Sequence, residues 1–288
     1  MLVDRTLYVS DMDGTLLGAD SRVSARSVEI INELIDNAGL MFTVATSRSA
    51  ATVVPLMADV HCRLPFITLS GAALWNPLTS RLEQVEEISP DRVDAVMRVM
   101  QRNGISPFVY RNHDNTMIYT HHFGELTAAE QKFVEQRSNL PLKRFFLGDA
   151  ASSHSHDAAM LIFAMSTTGN LQKACHEIKA ATDCNTIFYH DAVNPQWELL
   201  EVYRAGCSKA SAVKRLAAAL GAERIVAFGD NLNDLEMMSI AHHAVAVSNA
   251  LDPVKAAAHE IIGPNTADSV AHWLQSSLES RMGNVKRR

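Results

Sequence analysis

The sequence predicts an α/β protein: a doubly wound parallel sheet whose chain is interrupted by an inserted α+β domain. Three observations lead there. Short apolar runs alternate with amphipathic stretches over the first 80 residues. That rhythm is lost through the middle of the chain, and it returns from about residue 205 to the end. Alternating strands and helices build parallel sheets covered on both faces. A length of 288 residues suits two domains.

Each element has a local reason. TLYVS (6–10) is a buried strand running into DMDGTL, where Gly14 supplies a turn. Residues 24–38 carry Val28, Ile31, Leu34 and Ile35 at helical spacing, and Gly39 ends the helix. LMFTVATSR (40–48) is a second core strand. A helix through Val53, Val54 and Met57 follows, then a third core strand, FITL (66–69), leading to Ser70-Gly71. In the middle segment, Ser89-Pro90 opens a helix with Val93, Val96, Met97 and Met100 on one side. Strands are expected at 107–110, 116–120, 143–147, 158–165, 185–190 and 197–202, with helices at 127–138 and 170–182. The polar stretch 149–157 reads as a loop. Asn112, Asp114 and Asn115 mark a hairpin, which points to an antiparallel sheet. After it come a helix over Lys209–Leu220, the strand RIVAF (224–228), GDNLND, AVAV (244–247), a helix from about 250, EII (260–262) and a helix near 267–279. The expected organisation is a Rossmann-like core from 1–82 and 200–288, with an insertion at 83–199.

Composition narrows the function. The net charge is −6, which gives no general attraction to nucleic acid or to an anionic membrane. The basic end, 286–288, reads as a solvated terminus. The longest apolar run, 158–165, is far short of the roughly 20 residues a membrane span needs. No basic start precedes a long apolar stretch, so no secretory leader is expected. Cys62, Cys175, Cys184 and Cys207 form no CxxC, and a reducing cytoplasm is the expected setting. The twelve histidines show no HExxH spacing.

Chemistry-bearing residues collect at the carboxyl ends of the core strands, the edge at which open α/β sheets bind ligands. Asp11 and Asp13 follow the first strand; Thr46, Ser47 and Arg48 end the second; Ser70 follows the third; Asp230, Asn233 and Asp234 follow RIVAF. A calcium loop of the helix–loop–helix type does not fit. Starting from Asp11, the required glycine is Leu16 and the required glutamate is Arg22.

DMDGTL, ATSR, the lysine of Ser208-Lys209 and GDNLND, in this order, resemble the four motifs of the haloacid dehalogenase superfamily of phosphohydrolases. The insertion between the second and third motifs, and the tail AVAVSNALDPVKAAAHEII, resemble the Cof-type subfamily (subclass IIB), in which the insertion is an α+β cap that selects the substrate. The resemblance implies a Mg²⁺-dependent phosphatase of small phosphorylated metabolites, with sugar phosphates first and phosphorylated cofactors next. Asp11 matches the nucleophile that forms an aspartyl-phosphate, and Asp13 the acid/base. Asp11, Asp230 and the Asp13 backbone carbonyl match the Mg²⁺ ligands, and Asp234 supports the metal directly or through water. Thr46 and Lys209 match the phosphate anchors, joined by the Ser47 backbone N–H and by Asn233. Arg48 and Ser70 are candidate substrate contacts. A phosphotransferase or mutase would use the same aspartates, and a non-catalytic phosphometabolite-binding protein would share the fold.

The physics of those roles is consistent. Two unit charges 4 Å apart at an effective dielectric near 20 repel by roughly 4 kcal/mol. Several carboxylates around one phosphate therefore need cations, and Mg²⁺ suits an all-oxygen site.

Overall fold

The computed structural model describes residues 5–148, 157–190 and 195–285, with side chains as far as residue 279. The expected loop at 149–157 falls outside the described residues except for Asp157, and so does the basic end at 286–288. The chain forms two compact units. One comprises the residues up to Ser80 and from Ser208 onward; the other is Arg81–Cys207.

The first unit opens with β1 (Thr6–Ser10), α1 (Ala25–Ala38), β2 (Met41–Val44), α2 (Ala50–Leu56), β3 (Phe66–Thr68) and β4 (Ala73–Asn76). The second holds β5 (Arg81–Glu83), α3 (Pro90–Arg102), β6 (Phe108–His113), β7 (Met117–His122), α4 (Ala128–Glu135), β8 (Lys143–Leu147), β9 (Leu161–Ser166), α5 (Asn170–Ala181), β10 (Asn185–His190) and β11 (Glu198–Tyr203). The first unit resumes with α6 (Lys209–Leu220), β12 (Arg224–Gly229), α7 (Leu235–Ser239), β13 (His243–Val247), α8 (Asp252–Ala257), β14 (Glu260–Ile262) and α9 (Ser269–Val285).

Among the described residues, the first unit is built on five strands in the order β14-β13-β12-β1-β2, all parallel. This is the Rossmann-like core the alternating pattern predicts. β1 lies between β12 and β2, and every residue in it is buried, which is why TLYVS carries apolar side chains on both faces. α1 packs on α9, burying Ile30, Ile31, Leu34 and Ile35. Ile30 takes the place that Val28 was expected to hold in the stripe.

The third expected core strand differs. β3 meets the β2 chain through a single parallel bridge, Ala45 to Ile67, and pairs antiparallel with β4. The reason is the backbone that follows it: Leu69, Ser70 and Gly71 all have positive φ, and the chain reverses there. α6 begins with a capping box, in which Ser208 and Ser211 satisfy each other's backbone N–H, and stops at Gly221.

In the second unit six strands run in the order β10-β11-β9-β6-β7-β8. β6 and β7 form the expected hairpin, and Asp114 and Asn115 both sit at positive φ in its turn. All pairs are antiparallel except β7–β8, which is parallel. α3 and α5 cover one face, with Val93, Val96, Val99 and Met100 of α3 and Leu171, Ala174 and Ile178 of α5 against Val109, Ile162, Leu200 and Val202.

Candidate active site

Adjacent parallel strands bring distant residues to one edge. Asp11 lies just past the end of β1, and its N–H bonds the Phe228 carbonyl of β12 at 2.9 Å. Asp230 follows β12 directly, and Asp234 closes the short turn after it. One carboxylate oxygen from each of Asp11, Asp230 and Asp234 lies within 4.8 Å of the others. Lys209, the first residue of α6, turns its side chain into this group. Its Nζ donates to Asp11 Oδ1 at 2.6 Å and to Asp234 Oδ1 at 2.7 Å. Asp234 is fixed further by the N–H groups of Asp230 and Asn231, each 3.1 Å from Oδ2.

The electrostatics are those of a site short of positive charge. Burial, and then the Asp234 carboxylate, hold the Asp11 carboxyl well above its ordinary range despite Lys209. Asp230 is pushed up to about 6 by burial and by Asp234. Burial disfavours the Lys209 ammonium, but Asp11 and Asp234 outweigh it and hold the charged form. Three carboxylates face one ammonium, which leaves two negative charges. One divalent cation would balance them, and an all-oxygen donor set is the chemistry of a hard cation.

The remaining residues surround this group. Asp13 lies outside the three-carboxylate cluster. Its side chain is half exposed and sits in the fork of Arg48, with Nε to Oδ2 and Nη2 to Oδ1 both at 2.6 Å. Thr46 is buried; its Oγ1 accepts the Arg48 N–H at 3.1 Å, and its carbonyl accepts the Ser70 N–H at 2.9 Å. Ser70 is buried, and its Oγ has no partner among the described residues. Ser47 is half-buried and Asn233 is exposed. Among the described residues no hydrogen bond ties either side chain to the carboxylates.

Sequence reasoning missed the supports. Thr15 Oγ1 donates to Asp230 Oδ1 at 3.0 Å. Asn249 Nδ2 holds the Gly14 carbonyl at 2.7 Å, and Asn265 Nδ2 holds that of Leu17 at 2.7 Å. Together they brace the DMDGTL turn. Asn249 stands two residues beyond β13, so the strand-end criterion that found the aspartates would have found it too.

Gly14 is required twice over. Its φ is +77°, and a Cβ there would lie 2.5 Å from Asp230 Oδ2. Gly14→Ala is expected to lower stability by about 1–3 kcal/mol and to displace Asp230. Urea unfolding and calorimetric titration with a divalent cation check it; unchanged values in both would mean the turn gives way without loss.

The chain matches the family model for haloacid dehalogenase-like hydrolases over residues 8–274. It belongs to this family. Curated relatives include an HMP-PP phosphatase of Serratia proteamaculans, 27% identical over 95% of this chain and 96% of that one. A pyridoxal phosphate phosphatase of Escherichia coli is 27% identical over 93% and 97%. A 5-amino-6-(5-phospho-D-ribitylamino)uracil phosphatase of Bacillus subtilis is 24% identical over 93% and 96%. Family and relatives together make this chain a phosphatase of the Cof type. The fold agrees with a solved haloacid dehalogenase-like hydrolase of Bacteroides thetaiotaomicron: TM-score 0.77, 21% identity, over 94% of this chain and 98% of that one.

Proposed function

We propose that the protein is a Mg²⁺-dependent phosphatase that hydrolyses small phosphorylated metabolites through an aspartyl-phosphate on Asp11. The observation that carries this reading is the convergence of Asp11, Asp230 and Asp234 around a single ammonium, two charges short of neutrality. Asp11, Asp230 and Asp234 would hold the ion, with the Asp13 backbone carbonyl as the further ligand that the family implies. When bound, Mg²⁺ supplies charge neutralisation between phosphate and carboxylates.

Asp11 attacks phosphorus while the ester P–O bond breaks, and Asp13 gives its proton to the leaving oxygen. A water then attacks the acyl phosphate, Asp13 takes the water's proton, and inorganic phosphate leaves Asp11 restored. Lys209 is fixed beside Asp11 and draws the negative charge of a phosphoryl oxygen toward the nucleophile. The Thr46 hydroxyl accepts from Arg48 N–H, so its own proton remains available to a phosphate oxygen. The Ser47 N–H and Asn233 complete the anion contacts, and Ser70 offers a buried hydroxyl with a bond to give.

The second unit interrupts the first between Ser80 and Ser208, and we assign it the choice of leaving group. Two of the relatives named above act on pyridoxal phosphate and on a phosphoribitylamino-uracil, both phosphorylated heterocycles, which supports testing that class alongside sugar phosphates. Among the described residues no helix is long and apolar enough to cross a membrane. The four cysteines are buried free thiols, in keeping with a reducing cytoplasm.

A screen of phosphorylated heterocycles and sugar phosphates, with Mg²⁺ and with chelator, tests the reading. Free phosphate is expected as the only phosphorylated product, and chelation is expected to abolish its release. Transfer of the phosphoryl group to a sugar hydroxyl, or equal rates with chelator, would overturn it.

A further inference from the structure

We propose that Arg48 is a latch: it holds the Asp13 carboxylate before substrate arrives, and exchanges it for phosphoryl oxygens on binding, which releases Asp13 to take a proton from water and pass it to the leaving oxygen. This rests on the phosphatase reading and adds to it a coupling between two residues.

The fork engages both oxygens of Asp13, at 2.6 Å each. Asp13 must turn an oxygen toward the leaving group and later toward water, so the fork has to open in every turnover. Only the side chain of Arg48 can move, because its main chain is pinned on both sides. Its N–H bonds Thr46 Oγ1 at 3.1 Å and its carbonyl accepts the Leu69 N–H at 2.9 Å. The anchor point therefore stays two residues from Thr46, a proposed phosphate contact. A planar guanidinium fits two phosphate oxygens as it fits two carboxylate oxygens. Its third nitrogen, Nη1, bonds no group among the described residues and can make the first contact.

The two cations of the site differ in their freedom. The Lys209 side chain is 2% exposed and bridges two buried carboxylates, so it stays. The Arg48 and Asp13 side chains are 27% and 50% exposed. Both partners of the fork reach solvent, so the guanidinium can exchange one anion for another without either charge being left buried and unpaired. A phosphoryl dianion carries more charge than one carboxylate and wins the exchange.

Calorimetric titration with inorganic phosphate, in Mg²⁺, of wild type, D13N, R48M and the double variant tests the latch. With Arg48 present, Asp13→Asn is expected to tighten phosphate binding at least about tenfold, because the guanidinium is freed. With Arg48→Met the same change is expected to give about threefold or less, the effect of removing a screened repulsion. Equal effects in the two backgrounds would overturn the latch. So would weaker binding by D13N alone, which would make Asp13 a brace for Arg48. Phosphate binding without this coupling removes the latch alone; a wild type that binds no phosphate removes the phosphatase reading and the latch together.

Discussion

Asp11→Asn is expected to lower kcat by at least about a thousandfold while leaving the fold intact. The amide keeps the shape of the carboxylate but cannot attack phosphorus, so no covalent intermediate forms. The effect on stability has the opposite sign. Asp11 is buried and its carboxyl is held well above its ordinary range, first by burial and then by Asp234. An acid with a raised folded pKa stabilises the fold most at low pH and loses that stabilisation as pH rises. At neutral pH, well above the unfolded value, that stabilisation is lost, and a neutral amide avoids the cost of ionising a buried carboxyl beside Asp234. The melting temperature without metal is expected to hold or to rise by about 2–4 °C. Steady-state assay and thermal unfolding of the same preparation check both halves. Near-normal turnover would remove Asp11 as nucleophile.

The site was legible in the sequence because its residues stand at strand ends, and strand ends of a parallel sheet share an edge. Asp11 and Asp230 are far apart in the chain, yet β1 and β12 are neighbours. The bounds of β1 and α6 were legible for local reasons: an apolar run stopped by an acidic turn, and a serine cap closed by Gly221. What was not legible depends on partners. FIT contains nothing that fixes its pairing direction; the reversal lies in the positive φ angles of Leu69, Ser70 and Gly71. The parallel placement of β8 beside β7 is likewise set by tertiary packing. The two acids of DMD look equivalent in sequence, but one is buried against Lys209 and the other is held outside by Arg48, a residue of the next motif. The supports from Asn249 and Asn265 come from the far end of the chain, and only the fold reveals what their amides hold.

Lys209→Met separates the two halves of this electrostatic picture. Methionine matches the stem of lysine but removes the ammonium between Asp11 and Asp234, both buried. Breaking a buried pair on one side costs about 3–5 kcal/mol, because the remaining charge has no partner. Urea unfolding of metal-free protein at neutral pH is expected to show a loss of that size, with kcat reduced as well. The pH dependence follows from the two shifts. The raised Lys209 pKa means its contribution is fully present below the ordinary lysine range, so wild type keeps it throughout neutral pH. In the variant the Asp11 carboxyl, already raised by burial and Asp234, loses the cation that opposed the rise. Its folded state then binds protons more strongly than the unfolded chain, whose aspartates titrate near about 3.9. The variant gains stability as pH falls toward that value, and its deficit narrows. Added Mg²⁺ is expected to narrow it at neutral pH by the same logic, since a cation at the carboxylates replaces part of the missing charge. A deficit that is independent of both pH and Mg²⁺ would place the effect of Lys209 in packing, and the cluster would no longer account for the metal.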